Sequence, residues 1–283
     1  MAQNKTAWVL YYSNSGNTKD LADLAETALN DCGWAVESAS LMDFEPTEVK
    51  SAELVLLGTP THFWAVPAMA WKGIARLPDL SGAAGFVFST FGNVFPSGVP
   101  YVLAKALEKR GAKVLGGAAL VAPHNFMDGQ GHRLGEVYRE FGKGQPDEAQ
   151  LADFTKAVKS VAEKAEKKDY SGFDIRRLKS PKPALTFMDR FLPVEWELKA
   201  LAPVTFDASK CQDCGLCVQN CDTQSITNGS GQTKAINPKT CKRCYTCARQ
   251  CPSKALTVDW TKNQKLLRLA KKMVRSPGSS VMV

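Results

Sequence analysis

The sequence lacks most of the signals that would assign it at once. No apolar run among its 283 residues reaches the roughly 20 needed to span a membrane, so no membrane span is expected. The opening Met1-Ala2-Gln3-Asn4-Lys5 has no secretory apolar region. That argues against an oxidising destination and a disulfide framework, and makes the cytoplasm the expected location. The Walker phosphate loop and the Gly-x-Gly-x-x-Gly dinucleotide fingerprint are both missing, which leaves a nicotinamide donor unsupported. No helix-turn-helix, zinc finger or aromatic RNA platform is recognisable, so nucleic acid is not an expected partner. Cysteine is nearly confined to two short runs. The exception, Cys32, stands alone near the end of a helical pattern and reads as a small core hydrophobe rather than a ligand.

Charge is unevenly placed. The chain carries +8 overall, but residues 1–170 sum to −3 and residues 171–283 to +11. A basic half suits an acidic protein surface or an anionic membrane face. Of these the expected partner is a redox protein with an acidic surface, and membrane contact is the weaker reading. Thr261–Arg275 contains Lys262, Lys265, Arg268, Lys271, Lys272 and Arg275 with no acid, and reads as a basic tail whose default is a solvated helix. Pro277-Gly278-Ser279-Ser280 is expected to fray.

The cysteine runs carry the strongest signal. One is Cys211-x-x-Cys214-x-x-Cys217-x-x-x-Cys221; the other is Cys241-x-x-Cys244-x-x-Cys247-x-x-x-Cys251, followed by Pro252. Zinc ribbons usually pair one Cys-x-x-Cys with a distant second, so this close packing is a poor zinc framework. The spacing resembles that of bacterial two-cluster ferredoxins. The resemblance implies two [4Fe–4S] clusters, the fourth cysteine of each run serving the other run's cluster. One cluster would then take Cys211, Cys214, Cys217 and Cys251, and the second Cys241, Cys244, Cys247 and Cys221. Asp222 departs from the pattern, which places Pro after the fourth cysteine.

The first 170 residues alternate strand and helix signals. Ala7–Tyr12, Ala35–Ser40, Leu54–Leu57, Gly85–Ser89 and Lys113–Val121 read as strands. Thr18–Leu29, Ala68–Leu77, Tyr101–Arg110 and Glu148–Lys168 read as helices. This alternation predicts an α/β fold with a doubly wound parallel sheet of five strands, followed by a small α+β domain. Ligands in such sheets sit beyond the carboxyl ends of the strands, at the switch point. Three loops follow strand ends there. Ser13-Asn14-Ser15-Gly16-Asn17-Thr18 opens a helix and suits a phosphate. Gly58-Thr59-Pro60-Thr61-His62-Phe63-Trp64 and Ser89-Thr90-Phe91-Gly92-Asn93-Val94-Phe95 offer aromatics and backbone polar groups to a flat heteroaromatic ring.

These loops resemble those of flavodoxins, with Ser13, Ser15, Gly16 and Thr18 meeting the phosphate motif. The whole chain resembles fused flavodoxin–ferredoxin proteins of anaerobes, over residues 5–168 and 203–260. The resemblance implies non-covalent FMN, its phosphate on Ser13–Thr18 and its ring between the other two loops. Asn125, after the fifth strand, is a further candidate for the flavin rim. His62 is the candidate for delivering protons to the flavin, since an unperturbed histidine titrates near pH ~6.5.

The expected organisation is a flavodoxin-like domain at 1–168, a linker at 169–202, a ferredoxin-like domain at 203–260 and the tail at 261–283. Ala184–Leu201 is too apolar for a free tether and is expected to pack between the domains or across a homodimer. The expected function is electron transfer among FMN, two [4Fe–4S] clusters and a redox partner such as a ferredoxin. The alternatives are an FMN-dependent reductase of a small molecule, fed by the clusters, and an activator donating low-potential electrons to another enzyme.

Overall fold

The computed structural model describes residues 5–62, 65–92, 98–123, 142, 144–179, 202–221, 223–229, 234–241, 243–259 and 280–283. Phe63, Trp64, Asn93, Asn125, His124, the Ala184–Leu201 segment and the tail Thr261–Arg275 lie outside them. The described residues form two units, one built from those up to Ala122, Gly144–Lys179 and Ser280–Val283, the other from Ala202–Asp259.

The first unit is a doubly wound sheet. Its elements are β1 (Thr6–Tyr11), α1 (Asn17–Asp31), β2 (Ala35–Ser40), α2 (Pro46–Val49), β3 (Leu54–Pro60), α3 (Ala68–Ala75), β4 (Ala84–Phe91), α4 (Val99–Lys109), β5 (Lys113–Val121) and α5 (Glu148–Glu166). β2, β1, β3, β4 and β5 lie side by side in that order, all parallel. The central strands are buried along their length, as sheets covered on both faces require. Alternation sorts their side chains: Val9, Leu54, Leu56, Phe86 and Phe88 face α1 and α5, while Leu10, Val55, Leu57 and Val87 face α3 and α4. Phe154 of α5 packs edge-on to Phe86 and Phe88, with ring centroids 5.9 and 5.7 Å away. Each such pair adds about 0.5–1.5 kcal/mol beyond the area it buries.

Two features depart from the sequence expectation. The sheet has six strands rather than five. A strand at Ser280–Met282 pairs antiparallel with β5, Val281 opposite Ala118. Ser280, expected to fray, is therefore hydrogen-bonded in the sheet. Unpaired strand edges are a liability, and this strand covers the one β5 would otherwise present. In addition, the segment expected to begin the linker starts inside this unit. Tyr170 donates its hydroxyl to the Gly82 carbonyl at 2.9 Å, and Phe173 and Leu178 are buried in the α3–α4 face of the core.

The second unit is small. β6 (Val204–Phe206) pairs antiparallel with β9 (Leu256–Val258), and β7 (Ile226–Asn228) with β8 (Lys234–Ile236). Two short helices, α6 (Leu216–Gln219) and α7 (Thr246–Gln250), pack on each other. To complete the numbering, the strand at Ser280–Met282 is β10. Among the described residues no helix is long and apolar enough to cross a membrane.

Candidate functional site

In the sheet unit the chain leaves β1 for β2 on one side, while β3 lies on β1's other side. The carboxyl ends of β1 and β3 therefore bound a crevice, and the loop after β1 opens directly into α1. Gly16 sits at the helix entry with φ +99°, and a Cβ there would meet nothing within 4 Å. Its N–H donates to the Ser13 hydroxyl at 3.2 Å, which folds the loop back on itself. Gly16 stands at the N-cap and brings no side chain to cap α1. An anion placed there gains both the first-turn N–H donors and the helix dipole. Asn14 donates to the Tyr12 hydroxyl at 3.1 Å, and Asn14, Ser15 and Asn17 are half-buried beside it.

Thr18 and Thr90 join this loop to the end of β4 through hydroxyls 2.8 Å apart. The Thr61 amide donates to the Thr90 carbonyl at 2.7 Å, so the strand ends of β3 and β4 are held together. His62 and Ala65 exchange two backbone hydrogen bonds, at 3.0 and 2.9 Å, and His62 is half-buried. Phe91 packs with Ala119 and Val121, and Gly92 follows it half-buried. Thr59 and Ser89 are neighbours in register and fully buried. Their hydroxyls find no hydrogen-bond partner among the described residues. Buried polar groups are rarely left so, and two adjacent ones at the ligand end of a sheet suit the polar edge of a bound ring. With the uncapped helix and the open space over Gly16, the residues present fit an FMN-type ligand with one anionic end.

The cysteine-rich unit brings its thiols together in two groups. Cys211, Cys214, Cys217 and Cys251 line one open pocket, with Phe206, Leu256 and Lys234 among its other walls. Cys221 joins Cys241 and Cys244 in the electrostatic surroundings of Cys247. Backbone amides point at the sulfurs. Ser225 N–H donates to Cys221 Sγ and Ala255 N–H to Cys251 Sγ, both at 3.2 Å, and Asp213 N–H to Cys211 Sγ at 3.4 Å. To turn the chain about these sulfurs, Asp213, Gln224, Arg243, Tyr245 and Lys254 all adopt positive φ. Such conformations cost about 1–3 kcal/mol each and persist where the surroundings over-determine them.

Burial is the largest influence on Cys217, Cys241, Cys247 and Cys251. It pushes Cys247 up to about 12, helped by Cys244 and Cys241. Burial also raises Cys217, against the pull of Lys234. Cys251 goes the other way: burial is outweighed by hydrogen bonds from the Ser253 side chain and from the Leu256, Ala255 and Ser253 backbone, so its thiol lies below the ordinary range. A metal centre supplies the positive charge that keeps such sulfurs as thiolates, and all-thiolate sets of four are the donors of iron–sulfur clusters.

Cys32 lies apart from these groups, half-buried against the α1–α5 core. The sequence does not single out Lys234. Ser89 heads the third loop, but its pairing with Thr59 is not visible in the sequence. Lys234 sits in a Gly-Gln-Thr-Lys run that looks like an ordinary polar turn. Only its position relative to the internal repeat of the cysteine-rich unit marks it.

Comparison with known proteins agrees with both units. The chain matches the flavodoxin family over residues 9–156 and a 4Fe-4S binding domain over residues 204–227. It is 33% identical over 72 residues to the NADH-dependent phenylglyoxylate dehydrogenase subunit delta of Aromatoleum evansii, covering 25% of this chain and 73% of that protein. Among solved structures, a flavodoxin from the domain Archaea is similar at 21% identity and a TM-score of 0.44, covering 57% of this chain and 99% of that one. The two-electron reduced flavodoxin of Megasphaera elsdenii is similar at 23% identity and a TM-score of 0.42, covering 56% and 98%. Matched over more than half its length, the chain belongs to the flavodoxin family and carries a 4Fe-4S binding domain fused to it in the same polypeptide.

Proposed function

We propose that this protein transfers electrons between FMN held by its sheet unit and two [4Fe–4S] clusters held by its cysteine-rich unit, and onward to a redox partner. The observation that carries the reading is the presence on one chain of an anion-ready loop at a flavodoxin switch point and two sets of four cysteines. When bound, FMN exchanges two electrons and each cluster exchanges one. Ser13–Thr18 would hold the phosphate through first-turn amides and hydroxyls. Thr59, Pro60, Thr61, His62, Phe63 and Trp64, with Thr90, Phe91, Gly92, Asn93 and Asn125, would hold the ring. His62 would hold or release a proton at the rim of that site. Cys211, Cys214, Cys217 and Cys251 would ligate one cluster, and Cys241, Cys244, Cys247 and Cys221 the other.

A common chain makes transfer between the units independent of protein concentration. The surface of the second unit supports an acidic partner, such as a ferredoxin, since Lys239 and Lys254 are exposed and Arg243 and Arg249 half-buried. That a relative is named as a subunit of a dehydrogenase supports a place within a larger redox system.

The test is purification without oxygen, followed by iron, sulfide and flavin analysis and a dithionite titration followed by visible and EPR spectra. About eight iron and one FMN per chain are expected. Iron without flavin removes the FMN half of the reading, and zinc in place of iron removes the other.

A further inference from the structure

The cysteine-rich unit repeats itself at an offset of 30 residues, Cys211 matching Cys241 and Cys221 matching Cys251. The match extends beyond the thiols. Asp207 N–H donates to the Ala255 carbonyl and Asn237 N–H to the Ser225 carbonyl, both at 2.8 Å. The Asp207 and Asn237 side chains each accept from the amide two residues on, both at 3.0 Å. The β7–β8 pair is therefore the counterpart of the β9–β6 pair. Asn228 stands opposite Lys234 in one, Val258 opposite Val204 in the other.

This pair breaks the repeat. Where one half has two valines, the other has Lys234 and Asn228, and Asp213 replaces the arginine of the matching position, Arg243. Lys234 lines the pocket of Cys211, Cys214, Cys217 and Cys251. Its side chain is 1% exposed, and its ammonium donates to Asn228 Oδ1 at 2.8 Å and to the Asp213 carboxylate. Asp213 is 52% exposed. Water thus screens the carboxylate more than the ammonium. The hydrogen bond of Lys234 to Asp213 favours its charged form, and the charge of Asp213 adds to that.

We propose that Lys234 is a fixed positive charge that raises the reduction potential of the cluster on Cys211, Cys214, Cys217 and Cys251 relative to its twin. Net charge beside a cluster is one of the levers on its potential. In the reduction concerned, one electron from a one-electron donor enters that cluster. No proton accompanies it, because Lys234 already carries its charge. The two clusters are thereby ordered, and a single electron entering the unit settles on this one. The proposal rests on the two-cluster reading above.

The test uses the full chain, prepared without oxygen, with iron and sulfide counted before an EPR-monitored potential titration with dithionite. In Lys234→Met one midpoint is expected to move to more negative potential while the other stays. Lys234→Arg keeps the charge and is expected to keep the wild-type midpoint. Asp213→Asn leaves the ammonium less neutralised and is expected to move the same midpoint the opposite way. A purely structural role for Lys234 does not predict that reversal. If both midpoints stay, or move together, the proposal is overturned. Should Lys234→Met fail to assemble, an unmoved midpoint in Asp213→Asn overturns it equally. Fewer than two clusters in the unaltered protein overturns the underlying reading as well, and the iron count reveals that before any variant is made.

Discussion

Thr18 and Thr90 lie 72 residues apart in sequence, and their buried hydroxyls stand 2.8 Å apart. The bond links the helix entry expected to hold a phosphate to the strand that precedes the third loop. Thr90→Val keeps the β-branched shape and removes the hydroxyl, stranding that of Thr18. An unsatisfied buried hydroxyl costs about 1–3 kcal/mol. FMN affinity is expected to fall about tenfold, equivalent to about 1.4 kcal/mol. Flavin fluorescence during titration into apoprotein measures this. Unchanged affinity would show that the two loops bind independently.

Gly16 and Gly58 are both required, for different reasons. At Gly16 the constraint is backbone: φ is +99° but a Cβ meets nothing within 4 Å. Gly16→Ala is expected to cost about 1–2 kcal/mol of stability through strain alone. At Gly58 the constraint is space, since a Cβ would lie 2.1 Å from the buried Phe88 ring. Overpacking a core costs about 1–3 kcal/mol or more. Thermal unfolding of the apoprotein should show Phe88→Leu recovering part of the loss in Gly58→Ala. In Gly16→Ala the same change should add to the loss.

Where local pattern and global fold agree, the sequence was readable. β2 and β5 fall on the expected residues, and β1, β3 and β4 differ only at their ends. β1, β3, β4 and β5 are apolar runs and all five strands alternate with periodic helices, so local signals suffice. β10 was not legible, because three residues that begin inside a Pro-Gly-Ser-Ser stretch hold no period, and their pairing with β5 spans more than half the chain. The loops gave their chemistry through residue type alone. The Thr18–Thr90 and Thr59–Ser89 pairings depend on strand register, which no short motif encodes.

β10 yields a prediction of its own. It lies beyond the cysteine-rich unit in sequence yet belongs to the sheet, with Val281 half-buried against the α1–α5 face. Val281→Asp places a charge where a half-buried apolar side chain packs, at a cost of about 2 kcal/mol. The melting midpoint of the flavodoxin unit is expected to fall by several degrees, about 2–4 °C per kcal/mol at this size. Iron content should stay as it was. A drop in iron with an unchanged melt would tie the strand to the other unit instead.

The crossed ligand sets make the last prediction. Cys251 belongs by sequence to the second run, yet it lines the pocket of Cys211, Cys214 and Cys217. Cys221 belongs to the first run, yet it is among the groups acting on Cys241 and Cys247. Replacing one ligand should remove or degrade one cluster and leave about four iron of eight. Crossing determines which variants resemble one another. Cys251→Ser should leave the EPR spectrum of Cys214→Ser, and Cys221→Ser that of Cys244→Ser. An uncrossed arrangement would instead group Cys251→Ser with Cys244→Ser, and the ligand sets would have to be redrawn. Cys32→Ser, outside both groups, should keep the full iron content.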